Sequence, residues 1–281
     1  MKSIVITGAS TGIGEDAARL LIQHGFRVFG SVRKPADAER LHQTLGEAFT
    51  PLIFDVTDEG AVHTAAEQVR EMLGGETLFG LVNNAGVAVP APLMYQTIRE
   101  FRQQLEINVT GQLIVTQAFF PLLGGDRTRK GAPGRIINVT SVSGQNGSPF
   151  VGAYAASKHG LEGMSESLRR ELMLFGIDVI IVAPGPVATP IWEKADNQEA
   201  ERYKHTEYYE PGIKFQAYAL KNGRNGLPAE AVSKVILKTL TAKRPRVRYA
   251  VNPNPFAALV MSLLPKRWLD AIIAKGLGLG K

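Results

Sequence analysis

The chain has 281 residues, 44% of them hydrophobic and 21% charged, which excludes a wholly disordered, collagen-like or fibrous protein. It has no Cys, so disulfide scaffolds, thiolate metal centres and Cys nucleophiles are out; its five His never stand four apart, so no helical metal site is expected. The net charge of +6 is spread out, and its densest clusters, Arg127–Arg129–Lys130 and Lys243–Arg244–Arg246–Arg248, read as solvated surface.

The apolar start Ile4–Thr7 is too short for a secretory leader and reads as a strand running into Gly8. Ile13–His24 carries an apolar helical stripe, and Arg27–Val32 is a second strand. Pro35–Gly46 reads as a helix, Pro51–Val56 as a strand and Glu59–Leu73 as a helix. Leu78–Asn83 is a strand, and Thr97–Leu123 reads as one long helix. The polar, Gly-rich run 124–134 is a surface loop. Arg135–Thr140 is a strand, Ala153–Phe175 a helix and Ile177–Ala183 a strand. Pro228–Thr241 is a helix and Val247–Val251 the last strand.

Two regions interrupt the alternation. Residues 186–227 gather Trp192, Tyr203, Tyr208, Tyr209, Phe215 and Tyr218 among many charges, an insertion long enough for a substrate lid. Residues 253–281 place Phe256, Leu259, Val260, Leu263 and Leu264 at helical spacing. After Pro265 the spacing recurs at Trp268, Leu269, Ile272 and Ile273, beside Lys266, Arg267 and Lys275.

Strand–helix alternation predicts an α/β chain with a parallel sheet, and right-handed crossovers make it doubly wound. The expectation is a single Rossmann-type domain over 1–281. Its seven-stranded parallel sheet has helices on both faces, a three-layer αβα sandwich. No segment offers about 18 consecutive apolar residues, so no spanning helix is expected and a cytoplasmic protein is.

The first strand ends in Thr7-Gly8-Ala9-Ser10-Thr11-Gly12-Ile13-Gly14, and a helix follows. Glycines allow a sharp turn and a close approach to a pyrophosphate, which the helix N–H groups and positive end then hold. Tyr154 and Lys158 stand four apart on a predicted helix and so share a face. An ammonium beside a phenol favours phenolate and lowers its pKa from about 10, giving a general acid/base near neutral pH.

The spacing Gly-x3-Gly-x-Gly resembles the short-chain dehydrogenase/reductase family, and four further motifs agree in order. They are Asn83-Asn84-Ala85-Gly86, Ile107-Asn108-Val109, Ser141 with Tyr154-Ala-Ala-Ser-Lys158, and Pro184-Gly185-Pro186-Val187-Ala188-Thr189. The resemblance is close over about residues 1–190 and looser beyond. It implies alcohol–carbonyl interconversion with a nicotinamide cofactor. Tyr154 is then the general acid/base, and Lys158 lowers its pKa and bonds the nicotinamide ribose. Ser141 holds the substrate oxygen, and Asn108 holds a water in a proton relay to Lys158.

The same resemblance puts Gly8, Ser10, Thr11, Gly12, Ile13 and Gly14 around the pyrophosphate, and Asp55 with Val56 at the adenine. Asn83, Ala85 and Gly86 line the adenosine side. Pro184, Gly185, Val187 and Thr189 meet the nicotinamide end. Where NAD members carry an acid, this chain has Val32, followed by Arg33. A guanidinium suits a 2′-phosphate, so NADP(H) is expected over NAD(H). Thr11 stands where other NADP members place a basic residue, so the choice rests on Arg33, with Lys34 or Ser10 beside it.

The aromatic insertion and amphipathic tail favour a bulky apolar substrate. The run from Tyr154 to Gly163, and Ser165-Glu166-Ser167-Leu168, resemble hydroxysteroid and retinol dehydrogenases, which act on lipid-like alcohols and ketones. The alternatives are a reductase of 3-oxoacyl thioesters or small ketones, and a non-catalytic NADP(H)-binding sensor. The tail would cap the pocket, form an interface or touch a membrane surface. Members of the family self-associate through the helices matching 97–123 and 153–175, which implies a homodimer or homotetramer. No nucleic-acid motif or continuous basic stripe is present, so no such partner is expected.

Overall fold

A computed structural model describes residues 1–189 and 201–280; Trp192 and the side chain of Leu259 lie outside what it describes. Seven short runs rich in Val, Ile, Leu and Phe form the strands: β1 (Ser3–Ile6), β2 (Arg27–Val32), β3 (Phe49–Ile53), β4 (Gly80–Asn83), β5 (Arg135–Val139), β6 (Asp178–Pro184) and β7 (Arg248–Val251). All pair in parallel in the order β3-β2-β1-β4-β5-β6-β7. Successive side chains point to opposite faces. Ile4, Ile6, Val28, Val82, Ile137 and Val182 meet α1 (Gly12–Gln23), α2 (Pro35–Leu45) and α8 (Ala229–Thr241). Val5, Phe29, Leu52, Leu81 and Val179 meet α3 (Glu59–Leu73), α5 (Gly111–Phe119) and α6 (Gly152–Glu171). Both faces are therefore apolar, as covered parallel strands require, and each buried Ile, Leu or Phe contributes about 2 kcal/mol.

β3 begins at Phe49, two residues before the expected Pro51, and ends at Ile53. It is an edge strand, where a Pro without its N–H is tolerated. Asp55 and Val56 thereby fall in the turn after the strand rather than within it.

The expected single helix over Thr97–Leu123 is instead broken. Thr97 and Glu100 form a reciprocal cap for α4 (Ile98–Leu105). A π turn follows at Glu106–Thr110, then α5, then a 3₁₀ turn at Phe120–Leu123 that contains Pro121. Side chains cause the π turn: Gln112 Nε2 donates to Ile107 O at 3.2 Å and to Ala85 O at 2.7 Å. Asn108 bonds the main chain of Val87. Such bulges mark places where a side chain enters the helical ladder.

After β6 the described part of the insertion forms α7 (Tyr209–Arg224), and beyond β7 come α9 (Pro255–Leu263) and α10 (Lys266–Leu277). The strand order reverses beside β1, between β2 and β4. Ligand crevices in open α/β sheets lie at such a point, beyond the carboxyl ends of the strands.

Candidate active site

A cavity of about 650 Å³ occupies that crevice. Ser10, Thr11, Gly12, Ile13, Arg33, Asp55 and Val56 line one end, and Ser141, Tyr154 and Lys158 the other. Ala85, Gly86, Pro184, Gly185, Val187 and Thr189 line it too. The sequence motifs, scattered over 180 residues of chain, thus converge on one space.

The first turn is built from main chain. Gly8 has φ +67°, a left-handed conformation, and a Cβ on it would stand 2.9 Å from Ala85 Cα. Its N–H donates to Ser31 Oγ at 3.0 Å. Thr7 Oγ1 accepts from the N–H groups of Asn84 at 2.9 Å and Ala85 at 3.0 Å, clamping β1 to the loop after β4. Thr11, the residue before α1, is extended and makes no side-chain cap, so no side chain of its own seals the helix N–H groups beside the cavity. Arg40 donates to Ser10 O at 2.6 Å and to Glu15 at 3.1 Å, holding the turn from outside.

At the end of β2, Arg33 is largely exposed and its Nη1 lies 3.8 Å from Asp55 Oδ2. The other Asp55 oxygen accepts from Thr57 N at 3.0 Å and Thr57 Oγ1 at 2.8 Å. A cation and an oriented carboxylate therefore stand together at this end.

Two expected contacts with the cavity, those of Asn83 and Gly14, are corrected. Asn83 is 1% exposed and does not line it; its Nδ2 donates to Thr116 Oγ1 at 3.0 Å and Asn138 Oδ1 at 2.9 Å, tying β4 to β5 and α5. The next residue, Asn84, lines it instead, donating to Thr7 O and Gly8 O at 3.0 and 3.2 Å. Gly14 packs against the turn: a Cβ there would stand 2.1 Å from Gly8 O and 2.7 Å from Asn84 Nδ2. Asn108 is fully buried in the π turn. It donates to Val87 O at 2.8 Å and Ser157 Oγ at 2.9 Å and accepts from Val87 N at 2.8 Å, so both its amide hydrogens are engaged by the protein.

At the far end, Ser141 follows β5 and accepts at Oγ from Ser143 N at 3.1 Å. It lines the cavity beside Tyr154. Tyr154, in the first turn of α6, is half-buried. Burial pushes its pKa above the ordinary value, and Ser141 opposes the rise. This reverses the expected lowering. Lys158 does share the helix face, yet its Nζ donates to Val139 O at 3.0 Å and lies 5.7 Å from the Tyr154 ring centre. Burial brings Lys158 itself down to about 8, while the Glu162 carboxylate one turn further along works to raise it.

Glu162 was missed by the sequence reading, although its spacing from Lys158 repeats that of Lys158 from Tyr154. It is buried, accepts from Thr140 Oγ1 at 3.0 Å, and takes Arg248 of β7 in a two-pronged bond at 2.9 and 3.1 Å. Phe150 was also missed. Among the described residues it is the non-glycine one with positive φ, +65°, a conformation that costs about 1–3 kcal/mol where the surroundings impose it. Its carbonyl accepts from Ala91 N at 2.7 Å, and its ring lies 5.3 Å from Phe215 and 6.3 Å from Tyr208. Phe150 and Phe215, with Tyr203, Tyr218 and Ala219, wall the cavity beyond Tyr154.

Comparison with known proteins agrees with this geometry. The family model for short chain dehydrogenases matches residues 2–200. The chain is 38% identical over 278 residues to an NADPH-dependent 3-dehydrocapnine reductase of Ornithobacterium rhinotracheale, covering 99% of this chain and 98% of that protein. It is 33% identical over 292 residues to retinol dehydrogenase 16 of Mus musculus, covering 97% and 87%. A short chain dehydrogenase/reductase of Burkholderia phymatum in complex with NAD has the same fold, with a TM-score of 0.79 at 24% identity and 96% and 94% coverage. The Gly-rich turn at the sheet's switch point, the Ser141–Tyr154–Lys158 cluster and a matched span of more than two thirds of the sequence lead to one conclusion: the chain belongs to the short-chain dehydrogenase family.

Proposed function

We propose that this protein is an NADP(H)-dependent oxidoreductase that interconverts a bulky apolar alcohol and its ketone or aldehyde. The observation that carries the reading is one continuous cavity with Arg33 at one end and Ser141, Tyr154 and Lys158 at the other.

The residues present fit a nicotinamide dinucleotide. The uncapped start of α1 and the Gly8–Ile13 turn suit a pyrophosphate. Arg33 suits the phosphate of the adenosine ribose, and Asp55, Val56 and Asn84 border that end. The nicotinamide, when bound, supplies or accepts a hydride at the substrate carbon.

The chain's own residues handle the oxygen and its proton. Ser141 offers its hydroxyl to the substrate oxygen, where charge develops during reduction. Tyr154, its pKa raised by burial, is protonated at neutral pH and so begins reduction as the acid. The Lys158 ammonium stabilises the phenolate left behind. The Asn108 side chain acts by position: its amide ties Val87 to Ser157 on α6, one residue from Lys158.

The NADP(H) assignment is supported by Arg33 and by the relative named as NADPH-dependent. The apolar substrate is supported by the wall of Phe150, Tyr203, Phe215 and Tyr218 and by the retinol dehydrogenase relative. The test follows NADPH and NADH oxidation with a ketosteroid, a retinal, a 3-oxoacyl thioester and a small aromatic ketone. Wild type should use NADPH and one of the first two. Arg33→Gln should lose NADPH affinity by roughly 10–100-fold, the weight of a charged hydrogen bond, and NADH affinity far less. A wild-type preference for NADH would overturn the cofactor assignment. Turnover of the small ketone alone would overturn the substrate class.

A further inference from the structure

The C-terminal helices carry an apolar face that nothing in the described fold covers. α9, with the sequence PFAALVMSL, has no charged residue. Its stripe Phe256, Val260 and Leu263 is 76%, 43% and 75% exposed. On α10 the next stripe, Trp268 and Ile272, is 66% and 54% exposed. Single exposed apolar residues are ordinary, but two successive helices that turn large apolar side chains outward mark a contact surface.

Charge selects the partner. Lys266, Arg267 and Lys275 are exposed on the same helix pair, and Asp270 is the lone acid among residues 253–280. A second copy of this chain would bring these cations against themselves, on a protein already at +6. An anionic surface meets them with the opposite sign.

Position connects this face to the cavity. At one end of α10, Lys266 Nζ donates to Asn146 Oδ1 at 3.3 Å, in the loop whose Ser143 and Ser148 line the cavity. At the other end, Lys214 Nζ of α7 lies 2.8 Å from where a Cβ on Gly278 would stand. The next residues of α7, Phe215, Tyr218 and Ala219, form the other cavity wall. α10 therefore reaches two segments that line the cavity, the loop before α6 and α7.

We propose that α9 and α10 dock this protein on a bilayer surface containing anionic lipid. Phe256, Leu263 and Trp268 sink among the headgroups, and Lys266, Arg267 and Lys275 face lipid phosphates. Docking places the cavity mouth beside the lipid phase, and only this consequence, delivery of an apolar substrate, rests on the proposed reaction.

The test is sedimentation of the full chain with vesicles of equimolar phosphatidylcholine and phosphatidylserine. Wild type should sediment, and raised salt should weaken binding. The combined change Phe256→Ser, Leu263→Ser and Trp268→Ser alters exposed positions and should lower the partition coefficient on the order of a hundredfold. Lys266→Gln should lower it about fivefold. Trp fluorescence should move to shorter wavelength on adding vesicles. The shift should shrink in Trp268→Phe, which still sediments. No sedimentation, or sedimentation unchanged in the triple variant, overturns the proposal. A shift that grows with protein concentration without lipid overturns it in favour of self-association. A triple variant that still turns over a water-soluble carbonyl isolates docking from catalysis. Vesicle binding without turnover of any carbonyl strikes the proposed reaction alone.

Discussion

The cavity has two walls of different make. At the ends of β1, β2 and β4 it is shaped by main chain and small polar groups: Gly8 against Ala85, Thr7 and Ser31 accepting backbone N–H groups, Asn84 bracing Thr7 and Gly8. Facing it, α7 and Phe150 present rings, Phe215 and Tyr218 among them, with Phe215 resting on Phe150 rather than on the sheet. The first wall leaves no room for change, because an added atom meets backbone. The second can exchange one side-chain volume for another without disturbing the strands. On the proposed function, cofactor geometry therefore resides in the backbone and substrate choice in replaceable side chains.

The largest expected effect lies where the walls meet. Tyr154→Phe keeps the ring and removes the proton that reduction needs, so kcat should fall by roughly 10²–10⁴-fold, with NADPH affinity unchanged by fluorescence titration. A variant that keeps its rate would remove Tyr154 from the chemistry and leave the cluster as packing. Within the first wall, Gly14→Ala should cost about 3 kcal/mol in chemical denaturation, because a single methyl would collide with Gly8 O and Asn84 Nδ2. In the second wall, removing an entire half-buried ring by Phe215→Ala should cost only about 1 kcal/mol of stability, while raising KM about tenfold for a ketosteroid and leaving a small ketone unchanged. If the ring costs more than the methyl, the contrast between the walls fails.

How much of this was legible in the sequence follows the same division. Backbone requirements leave a trace: Gly8 and Gly12 stand where φ is positive, and alternating strands and helices announced the parallel sheet and its switch point. Tyr154 and Lys158 were visible because helical periodicity puts them on one face. What was hidden depends on tertiary direction. Asn83 and Asn84 look alike in the sequence, yet one turns to Asn138 and the other to Thr7. The helix expected over 97–123 was intact by pattern, and its π turn arises from loop carbonyls that only the fold brings near Asn108 and Gln112. The sign of the Tyr154 shift was misjudged for a related reason. Spacing shows that an ammonium is near, and only the fold shows that it points to Val139 and that burial outweighs it.

The smallest expected effect tests whether β7, through Arg248 and Glu162, reaches the reaction. Lys158 titrates at about 8 in the folded chain against 10.5 ordinarily. Between those values the unfolded chain holds more protons, so stability rises with pH across that window and is flat below it. Above pH 10, Tyr154 works in reverse, because the folded chain retains a proton that the unfolded chain has lost. The groups facing Lys158 in this balance are Tyr154 and Glu162, and Glu162 is in turn held by Arg248 from β7 and Thr140 from the end of β5. Glu162→Gln keeps the acceptor for Thr140, removes the charge that supports the ammonium, and leaves the Arg248 cation unopposed. The alkaline limb of the reductive pH profile should therefore move to lower pH. Arg248→Gln leaves the carboxylate unneutralised, and the same limb should move to higher pH. Opposite shifts with near-normal kcat at neutral pH would make Glu162 and Arg248 positioning residues for Lys158. Equal losses of stability with an unmoved limb would reduce the pair to a brace between α6 and β7.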